Sequence, residues 1–99
     1  MLVPTVHLNG TSAENLTRQL IEARRALRNA LQAVDETAPN GRDYYPQGEG
    51  AIGVATREHL SRLERIQAVL GELNEMLEGV QEQADARLRR NPRRARRSW

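Results

Sequence analysis

Six side chains in and just after one glycine- and proline-rich stretch have the types and spacing to do chemistry. Arg42, Asp43, Tyr44, Tyr45 and Gln47 lie in PNGRDYYPQGEGAIG (residues 39–53), and His59 follows shortly after. A guanidinium holds a phosphate through two parallel hydrogen bonds, and flat phenol rings stack nucleobases. Asp43, Gln47 and His59 offer polar atoms to base edges or ribose hydroxyls. The flanking glycines let backbone amides approach a ligand closely, and a helix starting beyond them adds partial positive charge. Such a set is suited to binding a nucleotide. The same residues also have a purely structural use, as a hairpin corner whose tyrosines cover the end of the core and whose Arg42 pairs with Asp43 or Glu36. The chain has no Phe, and both of its tyrosines lie in this connection and off any periodic face.

Catalysis is not expected. There is no Cys or Lys, there are two histidines, and the HExxH, GxSxG, P-loop and GxGxxG patterns are all missing. No metal site or cofactor is implied, and without Cys there is no disulfide framework. His7 reads as incidental polarity, and His59 serves equally as an interface histidine on a helix seam. A second candidate anion site is Asn9-Gly10-Thr11-Ser12, although those residues equally make a turn and a helix cap.

The elements that must position these groups are helical. Leu2, Val3, Val6 and Leu8 form a short extended N-terminal arm with no second strand to pair with. Thr11 and Glu14 read as N-cap and N3 of a capping box. From there a seam of Leu16, Leu20, Ala23, Leu27, Ala30 and Val34, thickened by Ile21 and Leu31, predicts a helix to about Thr37. Pro39 and Asn40-Gly41 stop it. A second helix opens at residues 50–52 and carries Ile52, Thr56, His59, Leu63, Ile66, Leu70, Leu73, Leu77, Val80 and Ala84, widened by Val69 and Met76. Its opposite side is acidic, and Asn91-Pro92 ends the pattern. At 1.5 Å per residue the helices are ~37 and ~54 Å long, so folding back leaves Leu77, Val80 and Ala84 without a partner from the first helix. The expected fold is all-α: an arm and cap over 1–12, then a long antiparallel helical hairpin over 13–86 with a loop at 38–51. The arm lies along the helices, pairs with its copy in another subunit or stays mobile, and a homo-oligomer, with or without the arm, completes the core.

Charge separates the last thirteen residues from the rest. Residues 1–86 hold eight Arg against all thirteen acids, net −5, while residues 87–99 hold seven Arg and no acid. This Arg-rich tail is suited to binding nucleic acid without sequence preference, with Trp99 to stack. It is equally suited to lying along the acidic face of a neighbouring helix, or to remaining disordered. Nothing resembles a signal peptide or membrane span, so a soluble, cytoplasmic protein with no membrane partner is expected.

The segments Val6-His7-Leu8-Asn9-Gly10-Thr11-Ser12, Pro39-Asn40-Gly41-Arg42-Asp43-Tyr44-Tyr45-Pro46-Gln47-Gly48 and Glu58-His59 resemble small uncharacterised proteins encoded by tailed phages and prophages. The architecture is similar to the viral sponge proteins, the anti-CBASS and anti-Thoeris hairpin families, through Arg42 with an aromatic soon after it and Ala51-Ile52-Gly53 opening the second helix. This chain departs from them in its longer Tyr-Tyr-Pro segment and longer second helix. The resemblance implies a bacterial host cell and a homo-oligomer that sequesters a small, cyclic nucleotide immune signal without cleaving it. The alternative function is a nucleic-acid-binding or structural phage protein whose hairpin only oligomerises and whose tail makes the contact.

Overall fold

Ser12, one residue later than the expected cap, starts the first helix, α1 (Ala13–Asp35). Its hydroxyl accepts the Asn15 N–H at 3.1 Å and its carbonyl accepts the Leu16 N–H at 3.0 Å. Ser caps at least as well as Thr, and the shift moves Glu14 to N2, so no capping box forms. α1 ends at Asp35, two residues before the expected Thr37, whose hydroxyl turns back onto the Val34 carbonyl at 2.6 Å. Pro39 follows this turn. Then Asn40 caps a single turn, α2 (Gly41–Tyr44), which leads into a 3₁₀ turn at Tyr45–Gln47. Gly48 and Gly50 sit at φ +104° and +86°, a region in which a side chain is strained. They turn the backbone into α3, Ala51–Arg90.

The computed structural model describes residues 1–90, which are all-helical apart from turns and the first twelve residues, with no strand among them. The tail expectations for residues 91–99 lie outside these described residues. Arg87, Arg89 and Arg90 form the last turn of α3, so the helix runs past residue 86. No helix among the described residues is long and apolar enough to cross a membrane.

The chain divides into two compact units, and each long helix contributes to both. One, here the strapped unit, holds Met1–Arg24 and, among the described residues, 72–90. The other, the corner unit, is Arg25–Gly71.

In the strapped unit Leu77 is 6% exposed and Val80 fully buried, the two buried apolar residues of the described chain. These are residues for which no partner from the first helix is expected, and within this single chain they are covered. The N-terminal segment lies along α3, with Val3 so close to Gly79 that a Cβ there would come within 2.5 Å of Val3 Cγ1. The Gln83 side chain holds it by both ends of its amide, Oε1 accepting from Val6 N–H at 2.7 Å and Nε2 donating to Pro4 O at 2.8 Å. Ala84 is half-buried.

The seam of α1 keeps Leu16, Leu20, Ile21, Leu27, Leu31 and Val34 half-buried as expected and departs at its two alanines. Ala23 and Ala30 are exposed, whereas Arg24, Leu27, Leu31 and Val34 are half-buried. Turning Leu31 inward instead of Ala30 removes more apolar area from water. Arg24 follows inward because its stem can lie along apolar surface while its head stays polar. That head donates to Asn74 Oδ1 at 3.1 Å, within the strapped unit. In the corner unit α3 presents Ala51 and Ala55 inward, and Ile52, Thr56 and Val69 are exposed. The buried side chain of the corner unit is polar: His59, 4% exposed.

Candidate functional site

The six candidate residues separate into four environments within the corner unit. Tyr44 and Gln47, carried by α2 and the 3₁₀ turn, form one wall of a groove of about 370 Å³. The start of α3 supplies the rest of the lining, through Ala51, Val54, Ala55, Glu58 and Arg62. Tyr44 is half-buried, so its ring is held in place without being sealed off from a ligand. Tyr45 faces a second concavity of similar size, lined by Gly41, Tyr44, Gly48, Glu49, Gly50 and Ile52, and is 76% exposed. Tyr44 thus borders both concavities and Tyr45 the second alone.

Arg42 and Asp43 line neither concavity. Asp43 is committed to the local fold: its backbone N–H donates to Asn40 Oδ1 at 3.2 Å, and its carboxylate accepts from Asn40 Nδ2 at 2.9 Å. This reciprocal pair closes the single turn of α2 and explains an acid there without a ligand. Arg42 is exposed and forms no ion pair with a carboxylate of the described residues, so the Arg42 pairing with Asp43 or Glu36 is absent.

His59 is walled off from the groove. Neither ring nitrogen makes a hydrogen bond, and Nε2 stands 3.8 Å from Asp35 Oδ1 at the end of α1. That separation is too long for a hydrogen bond and becomes an ion pair only when the ring is protonated. Burying an unpaired polar group costs about 1–3 kcal/mol, so His59 is a weakness in the corner's packing.

Arg57, Arg62 and Arg65 are further candidates that residue type alone does not single out. The signal for them is positional: they fall on a flank of α3 away from Leu63 and Ile66, and their spacing places them on neighbouring turns. Arg62 Nη2 approaches Glu58 Oε2 at 3.6 Å, an exposed i, i+4 pair that contributes little to stability.

The second candidate anion site, Asn9, Gly10, Thr11 and Ser12, belongs to the strapped unit. All four residues are exposed. Gly10 N–H closes a turn onto His7 O at 3.2 Å, and the Ser12 hydroxyl is engaged as the α1 cap. Among the described residues no group of three or more His, Cys, Asp or Glu is placed to hold a metal ion.

Comparison with protein-family models, curated proteins and solved structures returned no match. The functional reading therefore rests on the groove's own geometry.

Proposed function

We propose that this chain is a non-catalytic binding protein that holds a small nucleotide in the Tyr44 groove. One observation carries the reading: a half-buried aromatic ring and an arginine, Tyr44 and Arg62, border a single groove of about 370 Å³, within the size range of small-molecule sites. Tyr44 stacks the base, Arg62 takes a phosphate in exchange for Glu58, and Gln47 and Glu58 meet base edges or ribose hydroxyls. This moves the phosphate contact from Arg42 to Arg62 and leaves His59 and Asp43 structural roles.

The finer parts of the proposal follow from the resemblances described above. The protein acts as a phage-encoded sponge in the cytoplasm of a bacterial host, sequestering a cyclic nucleotide signal as a homo-oligomer. Ile52, Val54, Leu60 and Val69 support self-association, being apolar residues of α3 that are 37–51% exposed in the single chain. Isothermal titration with mononucleotides and cyclic dinucleotides tests the binding. Saturable binding weakened by Tyr44→Ala and Arg62→Ala is expected, and no binding by any member of the panel would remove the proposal. Light scattering tests the assembly, and a monomer at micromolar concentration would remove that part.

A second reading is favoured by the end of α3, where Arg87, Arg89 and Arg90 extend the helix into the basic tail. Under it the protein binds nucleic acid through these arginines. Its affinity then falls steeply with salt and is lost when they are replaced by Gln, whatever happens at Tyr44.

A further inference from the structure

The Tyr44 groove does not end at Arg62. A second depression of about 270 Å³, lined by Arg57, Glu58, Ser61, Arg62 and Arg65, shares Glu58 and Arg62 with it. The two are therefore one surface, aromatic at one end and cationic at the other. Three guanidiniums against one carboxylate leave the depression at +2. Glu58 is within ion-pair distance of Arg62 alone. Arg65 Nε donates to the Ser61 carbonyl at 3.3 Å, and the residue is exposed. Neither Arg57 nor Arg65 pairs with a carboxylate of the described residues. Like charges gathered on neighbouring turns repel one another, and an anion lying across them offsets that repulsion.

We infer that the ligand of this surface is a single-stranded oligonucleotide: an unpaired base stacks on Tyr44, and the adjoining phosphodiesters lie along α3 across Arg57, Arg62 and Arg65. This rests on the Tyr44 groove being a nucleotide site, and it puts an open chain in place of the cyclic signal as the ligand of that site. Length decides between ligand classes. From Arg57 to Arg65 the helix rises about 12 Å at 1.5 Å per residue, a span that two or three successive phosphates cover and one phosphate does not. Stacking on Tyr44 needs a free base face, which excludes an intact duplex. The track is elongated along the helix, so an open chain engages all three arginines, whereas a small ring meets the groove end only.

Fluorescence anisotropy with a labelled adenine tetranucleotide, beside titration calorimetry with AMP and a cyclic dinucleotide, tests the inference. The full chain is used, carrying Arg87, Arg89, Arg90, Arg93, Arg94, Arg96 and Arg97→Gln throughout so that the basic tail does not mask the track. The tetranucleotide is expected to bind at least tenfold tighter than AMP, about the value of one added charge-assisted contact. Arg57→Gln and Arg65→Gln should each lower the salt slope of tetranucleotide binding by about 0.7, the value for one phosphate contact on a single strand, and should leave AMP affinity unchanged. Both residues are exposed, and circular dichroism confirms that the variants keep their helicity. Tyr44→Ala should weaken AMP and tetranucleotide alike. Glu58→Gln should tighten the tetranucleotide by freeing Arg62. If AMP or the cyclic dinucleotide binds as tightly as the tetranucleotide, and the two Gln variants leave every slope unchanged, the oligonucleotide inference is overturned while the nucleotide groove stands. If no nucleotide binds, both fall. If tripolyphosphate binds through Arg57 and Arg65 without regard to Tyr44, the surface is a phosphate track and not an oligonucleotide site.

Discussion

The strapped unit and the corner unit use the same two helices for different ends. In the strapped unit the described chain places its two buried apolar side chains, Leu77 and Val80, and secures its N-terminal segment over Gly79 with a Gln83 clamp. In the corner unit the buried side chain is His59, with both ring nitrogens unpaired, and the surface around it carries concavities lined by tyrosine and arginine. A small chain has little apolar surface to bury. Where it spends that surface on packing it obtains a clamp, and where it leaves polar and aromatic groups half-exposed it obtains a groove. Dense packing and the candidate groove thus fall on different stretches of the helices.

The largest break in this comparison comes from a charge placed where packing is densest. Val80→Asp should cost about 3–5 kcal/mol, because an unpaired carboxylate enters a fully buried position. Thermal melting followed by circular dichroism should show a protein unfolded or close to it. The same change at half-buried Leu63 of the corner unit should cost clearly less. Equal losses would mean that the two units do not differ in the way described.

His59 gives the next largest effect and the clearest contrast. His59→Ala leaves a cavity and should cost about 2 kcal/mol or more. His59→Leu keeps the volume and removes two unpaired nitrogens, so it should be neutral or stabilising by about 1 kcal/mol. A Leu variant that melts well below the wild type would show that the ring is satisfied in solution.

Gln83→Ala removes both hydrogen bonds of the clamp and should cost about 1–2 kcal/mol. Its distinctive readout is amide exchange at Val6, which should become fast while exchange in the middle of α3 is unchanged. Gly79→Ala sharpens the same point. Alanine gains about 1 kcal/mol of helix propensity over glycine, but its Cβ collides with Val3. The N-terminal segment should therefore loosen while the helix itself holds.

The smallest effect separates the tyrosines. Tyr45→Ala, at a 76% exposed position, should change stability by no more than about 0.5 kcal/mol and leave binding in the Tyr44 groove intact. Tyr44→Ala should cost about 1–3 kcal/mol of binding. Equal binding losses would return both rings to one site.

Much of the helical pattern was legible in the residues alone, because it rests on local chemistry. The 3.6-residue spacing of Leu27, Leu31, Leu63, Ile66, Leu70, Leu73, Leu77 and Val80, the hydroxyl at the helix start, and Pro39 with Asn40-Gly41 at the break each act over a few residues. The choice between Ala30 and Leu31, or Ile52 and Ala51, is a rotation of less than a third of a turn that local pattern leaves open. It is decided by which facing side chains fill the space. Only tertiary structure decided that Val3, Pro4 and Val6 lie on Gly79 and Gln83, more than seventy residues away, and so cover the seam left without a partner from the first helix. Contacts at that separation leave no periodic trace. The same holds for the groove: YYP announced an aromatic corner. That Tyr44 shares a groove with Arg62 while Tyr45 looks elsewhere follows from the single turn of α2, the 3₁₀ turn and two left-handed glycines, which together set where α3 begins and which of its arginines the corner meets.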